Sequence, residues 1–134
     1  MPDFKSNHGF TIRQSSLADP VLLNAVRRIV RSEMGKGFPA GRSLPSGEET
    51  IVYTGPLTAP TSFAIFYETE TGICWLDLLW VAPRGRRKGL ASALIDVVET
   101  IAETEMKLDR LAFGTIAENA AMRALAEKRT GWRL

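Results

Sequence analysis

The sequence predicts a mixed α/β domain. Three observations carry that reading. Two stretches, Leu22 to Val30 and Ala91 to Ala102, repeat apolar residues at the spacing of an amphipathic helix. The short apolar segments between them are close enough in sequence to pair with one another, and the last is followed by a helix and a further strand. That last segment, Ile73 to Val81, is apolar on both faces, as expected of a strand whose sheet is covered by helices on both sides.

Along the chain, residues 1 to 9 read as a flexible tail that holds His8, the only histidine. Phe10 to Gln14 reads as a first short strand. Asp19 is placed to cap a helix and Pro20 to open it. Leu22, Ala25, Val26, Ile29 and Val30 then form the apolar stripe, and the helix should end near Met34 and Gly35. Residues 35 to 49, with four glycines and two prolines, read as a long loop. Thr50 to Thr54 and Ser62 to Glu68 are strands joined by a proline-containing loop, and Thr71-Gly72 turns the chain into Ile73 to Val81. A second helix running to about Met106 carries Ala91, Leu94, Ile95, Val98, Ile101 and Ala102. Leu111 to Gly114 is the next strand, and a last helix is expected from about Asn119 to Lys128.

At 134 residues the chain is long enough for one domain with a single well-buried core, here residues 10 to 134. Its 45% apolar and 24% charged content is that of an ordinary globular protein. No apolar run is long enough for a membrane span. The polar N-terminus shows no secretory signal, so a cytoplasmic location is expected. Cys74 is the only cysteine, which removes an internal disulfide and any cysteine-cluster metal site; no metal is expected. With 17 basic and 15 acidic residues, the net charge of +2 is too balanced for a protein whose main role is to hold a nucleic-acid backbone.

The stretch with most chemical content runs from Leu79 to Leu94. An apolar strand meets Pro83, then a basic loop with Gly85 and Gly89, then a helix. The first amides of a helix have no intrahelical acceptor, and the macrodipole adds partial positive charge there. Small residues such as Gly89 and Ala91 let a phosphate approach those amides, while Arg86, Arg87 and Lys88 surround it with charge. The spacing is neither that of a P-loop nor that of the dinucleotide fingerprint. Two other readings of these residues stand beside the anion cradle: a solvated basic turn, and a nucleic-acid contact through Arg84, Arg86, Arg87 and Lys88.

Arg86-x-x-Gly89-x-Ala91, preceded by Val81-x-Pro83, resembles the acetyl-CoA-binding motif of the GNAT superfamily of N-acetyltransferases, Gln/Arg-x-x-Gly-x-Gly/Ala. Most members have Gly where this chain has Arg87. Asn119 to Trp132 is similar to the family's last conserved block, with one extra residue before Gly131 and Ala126 in place of the usual Tyr. The resemblance covers about residues 10 to 134. It implies a mixed, mostly antiparallel central sheet with helices on both faces and two splayed central strands, by position Ile73–Val81 and Leu111–Gly114. Acetyl-CoA would lie in the gap. Its pantetheine would meet the backbone at Leu79, Trp80 and Val81, and its pyrophosphate the amides of Arg86, Arg87, Lys88, Gly89, Leu90, Ala91 and Ser92. Asn119 of the last block joins this set.

The implied chemistry is acyl transfer to a primary amine: a small amine, a lysine or a protein N-terminus. Such an amine, with a pKa near about 10.4, must lose a proton before it attacks. Asp77 is the candidate base, because it is the one charged residue between Ile73 and Val81 and aligns with a Glu that can act as base in the family. The alternative is a carboxylate satisfied by a neighbouring group. Backbone N–H groups near Leu79 to Val81 would meet negative charge on the thioester oxygen. Ala126 cannot protonate the leaving thiolate. Departure of a free thiolate, replacement by Tyr53 or Tyr67, and CoA binding without turnover all remain open. Glu48, Glu49, Glu68 and Glu70 read as solvated loop charges, with a cationic acceptor as the other reading. Because family members continue into further strands beyond this point, the uncovered sheet edge raises the expectation of a homodimer or an open acceptor groove.

Overall fold

The computed structural model describes residues 3–5, 9–33, 46–85, 88–108, 110–113 and 132–133. They form a seven-stranded sheet in chain order: β1 (Asp3–Lys5), β2 (Thr11–Ser16), β3 (Thr50–Thr54), β4 (Ser62–Glu68), β5 (Cys74–Val81), β6 (Leu111–Phe113) and β7 (Trp132–Arg133). Adjacent strands from β1 through β5 run antiparallel to one another, whereas β6 lies parallel to β5 and β7 parallel to β6. Helix α1 (Pro20–Glu33) follows β2, and α2 (Leu90–Thr104) links β5 to β6. The last helix expected from about Asn119 and most of the loop at 35–49 lie outside the described residues.

Local chemistry explains the helix starts. The Asp19 carboxylate accepts the Val21 amide at 2.9 Å and the Leu22 amide at 3.4 Å, so α1 opens on the expected cap. Leu22, Ala25, Val26, Ile29 and Val30 are all buried, as their spacing requires. Helix α2 opens instead on Gly89, which has a left-handed φ of 82° and gives no side-chain cap.

The expectation of a tail over residues 1 to 9 is corrected at Asp3–Lys5. These residues pair with Arg13 to Thr11 and satisfy backbone groups on the outer edge of β2. His8 lies outside the described residues.

The sheet divides two apolar clusters. On one face Ile12, Val52, Ala64, Phe66, Cys74 and Leu76 pack against α2. On the other, Ile51, Tyr53, Phe63, Ile65, Leu78 and Trp80 pack against α1. Each fully buried Leu, Ile or Phe side chain contributes about 1.5–3 kcal/mol through removal from water. On β3 and β4 these memberships alternate residue by residue, as pleating demands. On β5 they do not: Leu76 and Leu78 are two apart yet lie on opposite faces. The register supplies the reason. Phe66 pairs with Leu76 and Ile65 with Leu78, so Asp77 is an extra residue with no partner on β4, a β-bulge.

Glu49 corrects a second expectation. Glu48, Glu68 and Glu70 are exposed, but Glu49 is only 8% exposed. Its carboxylate accepts the Ser46, Gly47 and Glu48 amides and the Ser46 hydroxyl, each at 3.0 Å. Its own carbonyl accepts the Leu17 amide at 3.0 Å, which ties the turn to the start of α1. Burial by itself would raise the pKa of this group. The backbone N–H donors and the Ser46 hydroxyl outweigh burial and hold it below the usual glutamate value.

A group with a depressed folded pKa adds stability above its unfolded value and loses it as pH falls through the folded one. Glu49→Gln should therefore cost about 2 kcal/mol near neutral pH, since an amide turns a donor toward donors. Urea titrations should show this gap narrowing as pH drops below about 4.3.

Candidate active site

The candidate site lies along the second half of β5. β4 accompanies β5 along its whole length, and the described ladder to β6 holds Cys74 to Leu76, opposite Leu111 to Phe113. The bulge residue Asp77 comes immediately after that ladder. It is half-buried and makes a polar or electrostatic contact.

Hydrogen-bond parity shows which backbone groups beyond Leu76 face away from β4. The Ala82 amide donates to the Thr61 carbonyl at 2.9 Å, so Thr61 and Ala82 are a hydrogen-bonded pair. In an antiparallel ladder such pairs alternate with non-bonded ones. The registered pairs Phe63–Trp80 and Ile65–Leu78 are then bonded, whereas Ser62–Val81 and Ala64–Leu79 are not. Leu79 and Val81 consequently turn their N–H and C=O groups away from β4, toward the side of β5 on which β6 lies. Their side chains lie on the α2 face.

Trp80 differs from the two residues beside it. Its backbone pairs with Phe63, and its ring packs in the α1-side cluster with the Phe63 ring centroid 5.5 Å away. The indole Nε1 is buried without a hydrogen-bond partner among the described residues. Of the three expected contacts, only Leu79 and Val81 therefore present backbone to the side away from β4. Strand alternation alone was a signal able to separate them.

After Val81 a single 3-10 turn, Pro83–Gly85, reverses the chain and is closed by the Gly85 amide on the Ala82 carbonyl at 2.8 Å. Gly85 lies against the Val81 side chain: a Cβ there would sit 3.2 Å from it. Arg84 and Lys88 are exposed on either side of the cradle, and Arg86 and Arg87 lie outside the described residues, as does Asn119. Gly89, Leu90, Ala91 and Ser92 open α2. The Ala93 amide donates to the Gly89 carbonyl at 3.0 Å, and the amides of Leu90, Ala91 and Ser92 lie in the opening turn of the helix. With no acidic residue in the first turn and no side-chain cap, nothing local opposes an anion there. The described residues fit a pyrophosphate at α2 and a chain of amides along Leu79 and Val81.

Two further groups are placed. Tyr53 is buried in the α1-side cluster and Tyr67 is 39% exposed, opposite Trp75. Ala126 lies outside the described residues. No group of three or more His, Cys, Asp or Glu suited to a metal occurs among the described residues, and no helix among them is long and apolar enough to cross a membrane.

Residues 50–132 match the family model of the acetyltransferase (GNAT) family. The chain belongs to that family. Its solved relatives repeat the fold at low sequence identity. A ribosomal-protein-alanine N-acetyltransferase from Brucella melitensis biovar Abortus 2308 superposes with a TM-score of 0.65 at 23% identity, over 87% of this chain and 88% of that one. An aminoglycoside acetyltransferase from an uncultured soil metagenomic sample, in complex with trehalose, gives 0.64 at 14% identity, over 89% and 86%. A Bacillus anthracis str. Ames protein in complex with acetyl coenzyme A gives 0.54 at 18% identity, over 60% and 45%. No curated protein sequence matches the chain. Family membership makes acyl transfer from an acyl-CoA to an amine the relevant class of chemistry, and the mixed, mostly antiparallel sheet with α1 and α2 on opposite faces is the GNAT fold.

Cys74 carries no part of this chemistry. Burial, aided by the Glu68 charge, pushes its thiol pKa up to about 12. Ellman's reagent at pH 8 should leave the native protein unmodified for hours, and the unfolded chain should react at once.

Proposed function

We propose that the protein is an acetyl-CoA-dependent N-acetyltransferase that moves the acetyl group directly to a primary amine. One observation carries this reading: the bulge at Asp77, the Leu79 and Val81 backbone turned away from β4 and the left-handed Gly89 that opens α2 belong to one continuous stretch of chain. They set a carboxylate, a strand edge and a helix N-terminus along the path of an extended thioester.

In this reading the amides and carbonyls of Leu79 and Val81 hold the pantetheine arm as an added strand would be held. The opening amides of α2, with Arg84 and Lys88 beside them, hold the pyrophosphate. Arg86, Arg87 and Asn119 are proposed contacts of the same ligand. Acetyl-CoA supplies the activated acyl group. An N–H of the Leu79–Val81 edge would donate to the thioester oxygen as negative charge develops there. Asp77 takes the ammonium proton, directly or through a water, so that the neutral amine attacks. The buried thiol of Cys74 is unsuited to a covalent acyl intermediate, which favours direct transfer. The leaving thiolate, with a pKa near about 8.5, departs without a dedicated acid.

Thermal unfolding tests the cradle. Acetyl-CoA at about 100 times its Kd should add roughly 2.7 kcal/mol of stability, a shift of several degrees that adenosine does not reproduce. Asp77→Asn tests the base. With an amine that the wild type acetylates, kcat should fall about 100-fold while the acetyl-CoA thermal shift is retained. Unchanged turnover would remove Asp77 from the reaction.

A further inference from the structure

The charges of the two helices are segregated by the sheet. Helix α1 carries Arg27, Arg28 and Arg31 against one acidic residue, Glu33. At spacings of three and four residues these arginines share one side of its second half. Arg28 and Arg31 are exposed and Arg27 is half-exposed. Helix α2, on the opposite face, carries Asp96, Glu99 and Glu103 and no basic residue at all.

The basic side of α1 continues onto the sheet. The Arg28 guanidinium donates to the Thr58 carbonyl at 2.9 Å, which fixes that side chain against the loop between β3 and β4. The same loop supplies Gly55 and Pro56 to an open depression of about 350 Å³, whose other walls are Thr11 and Arg13. Arg13 is exposed on β2. The loop also reaches the cradle through the Ala82–Thr61 hydrogen bond, so the depression lies at the end of the sheet where α2 begins. Of the acidic groups once open to a cationic acceptor, Glu49 is enclosed by its own turn and Glu68 lies beside Cys74, which belongs to the α2-side cluster.

We infer that the α1 face, from Arg28 and Arg31 to the depression at Arg13, is a docking surface for an acidic acceptor polypeptide. This rests on the acetyltransferase reading of the site. Guanidinium groups suit carboxylates because their planar fork pairs with both oxygens. The depression is about 20 Å from Asp77, counted as three strand spacings across and five residues along. An extended chain covers that in roughly six residues. The acceptor amine would therefore precede its acidic cluster by about that many positions.

The test uses two peptides with the same free N-terminal residues and a fluorophore at the far end. From about the sixth position one carries glutamates and the other lysines. Fluorescence anisotropy is read with the full chain, with and without CoA, at about 20 mM and about 500 mM salt. The glutamate peptide should bind about tenfold tighter at low salt, and the advantage should shrink at high salt. The double variant Arg28→Glu/Arg31→Glu should lose that preference while keeping the wild-type unfolding midpoint and CoA thermal shift. Equal binding of the two peptides, or a preference that survives the double variant, would overturn the inference. So would an oligothymidylate of matched charge that binds more tightly than the glutamate peptide. A wild type that prefers glutamate yet shows no CoA shift would instead remove the acetyltransferase reading and leave the docking surface standing.

Discussion

β5 is the strand around which the rest of the molecule is arranged. β4 pairs with it from Cys74 to Val81, and among the described residues β6 meets it at Cys74 to Leu76. The extra residue at Asp77 comes directly after those three. By shifting register, it sends Leu76 toward α2 and Leu78 toward α1, so both helices close on the same strand. The insertion also places a half-buried carboxylate directly after the residues that pair with β6. One residue thus links sheet pairing, division of the core and candidate chemistry.

The geometry at the start of α2 depends on what is missing from it. A helix usually begins with Ser, Thr, Asp or Asn, whose side chain occupies an opening amide. α1 does this with Asp19. α2 begins with a glycine whose left-handed backbone turns the chain without supplying an acceptor. The missing side-chain cap costs some helix stability, offset by the eight buried residues that α2 sets against the sheet. Tertiary packing therefore lets α2 do without a capping side chain.

Much of this was legible in the residues. Apolar spacing placed both helices, and the cap at Asp19 needed only the identity of one side chain. The cradle was visible because its parts are consecutive. Asp77 stood out as a charge in an apolar strand, but the bulge did not, since register belongs to two strands and one segment cannot reveal it. β1 was missed because Asp-Phe-Lys is too short to show alternation, and its stability comes from the edge of β2. Trp80 was grouped with Leu79 and Val81 although alternation separates it from both. Glu49 looked like a loop charge. The Ser46-Gly-Glu-Glu49 spacing is that of a capping box, and it was the signal for a carboxylate folded back on its own turn.

The placement of charge also gives the molecule a direction. Among the described residues, arginines on α1 and carboxylates on α2 contribute a dipole component across the sheet. In the field of any large charged surface a body with such a component is turned before it touches. The angular part of an encounter, which ordinarily lowers association far below the diffusional limit, is then partly solved at a distance. With a formal charge of only +2, the protein has little net attraction to draw it in. Its approach to another molecule would be governed less by how strongly it is pulled than by which way it faces on arrival.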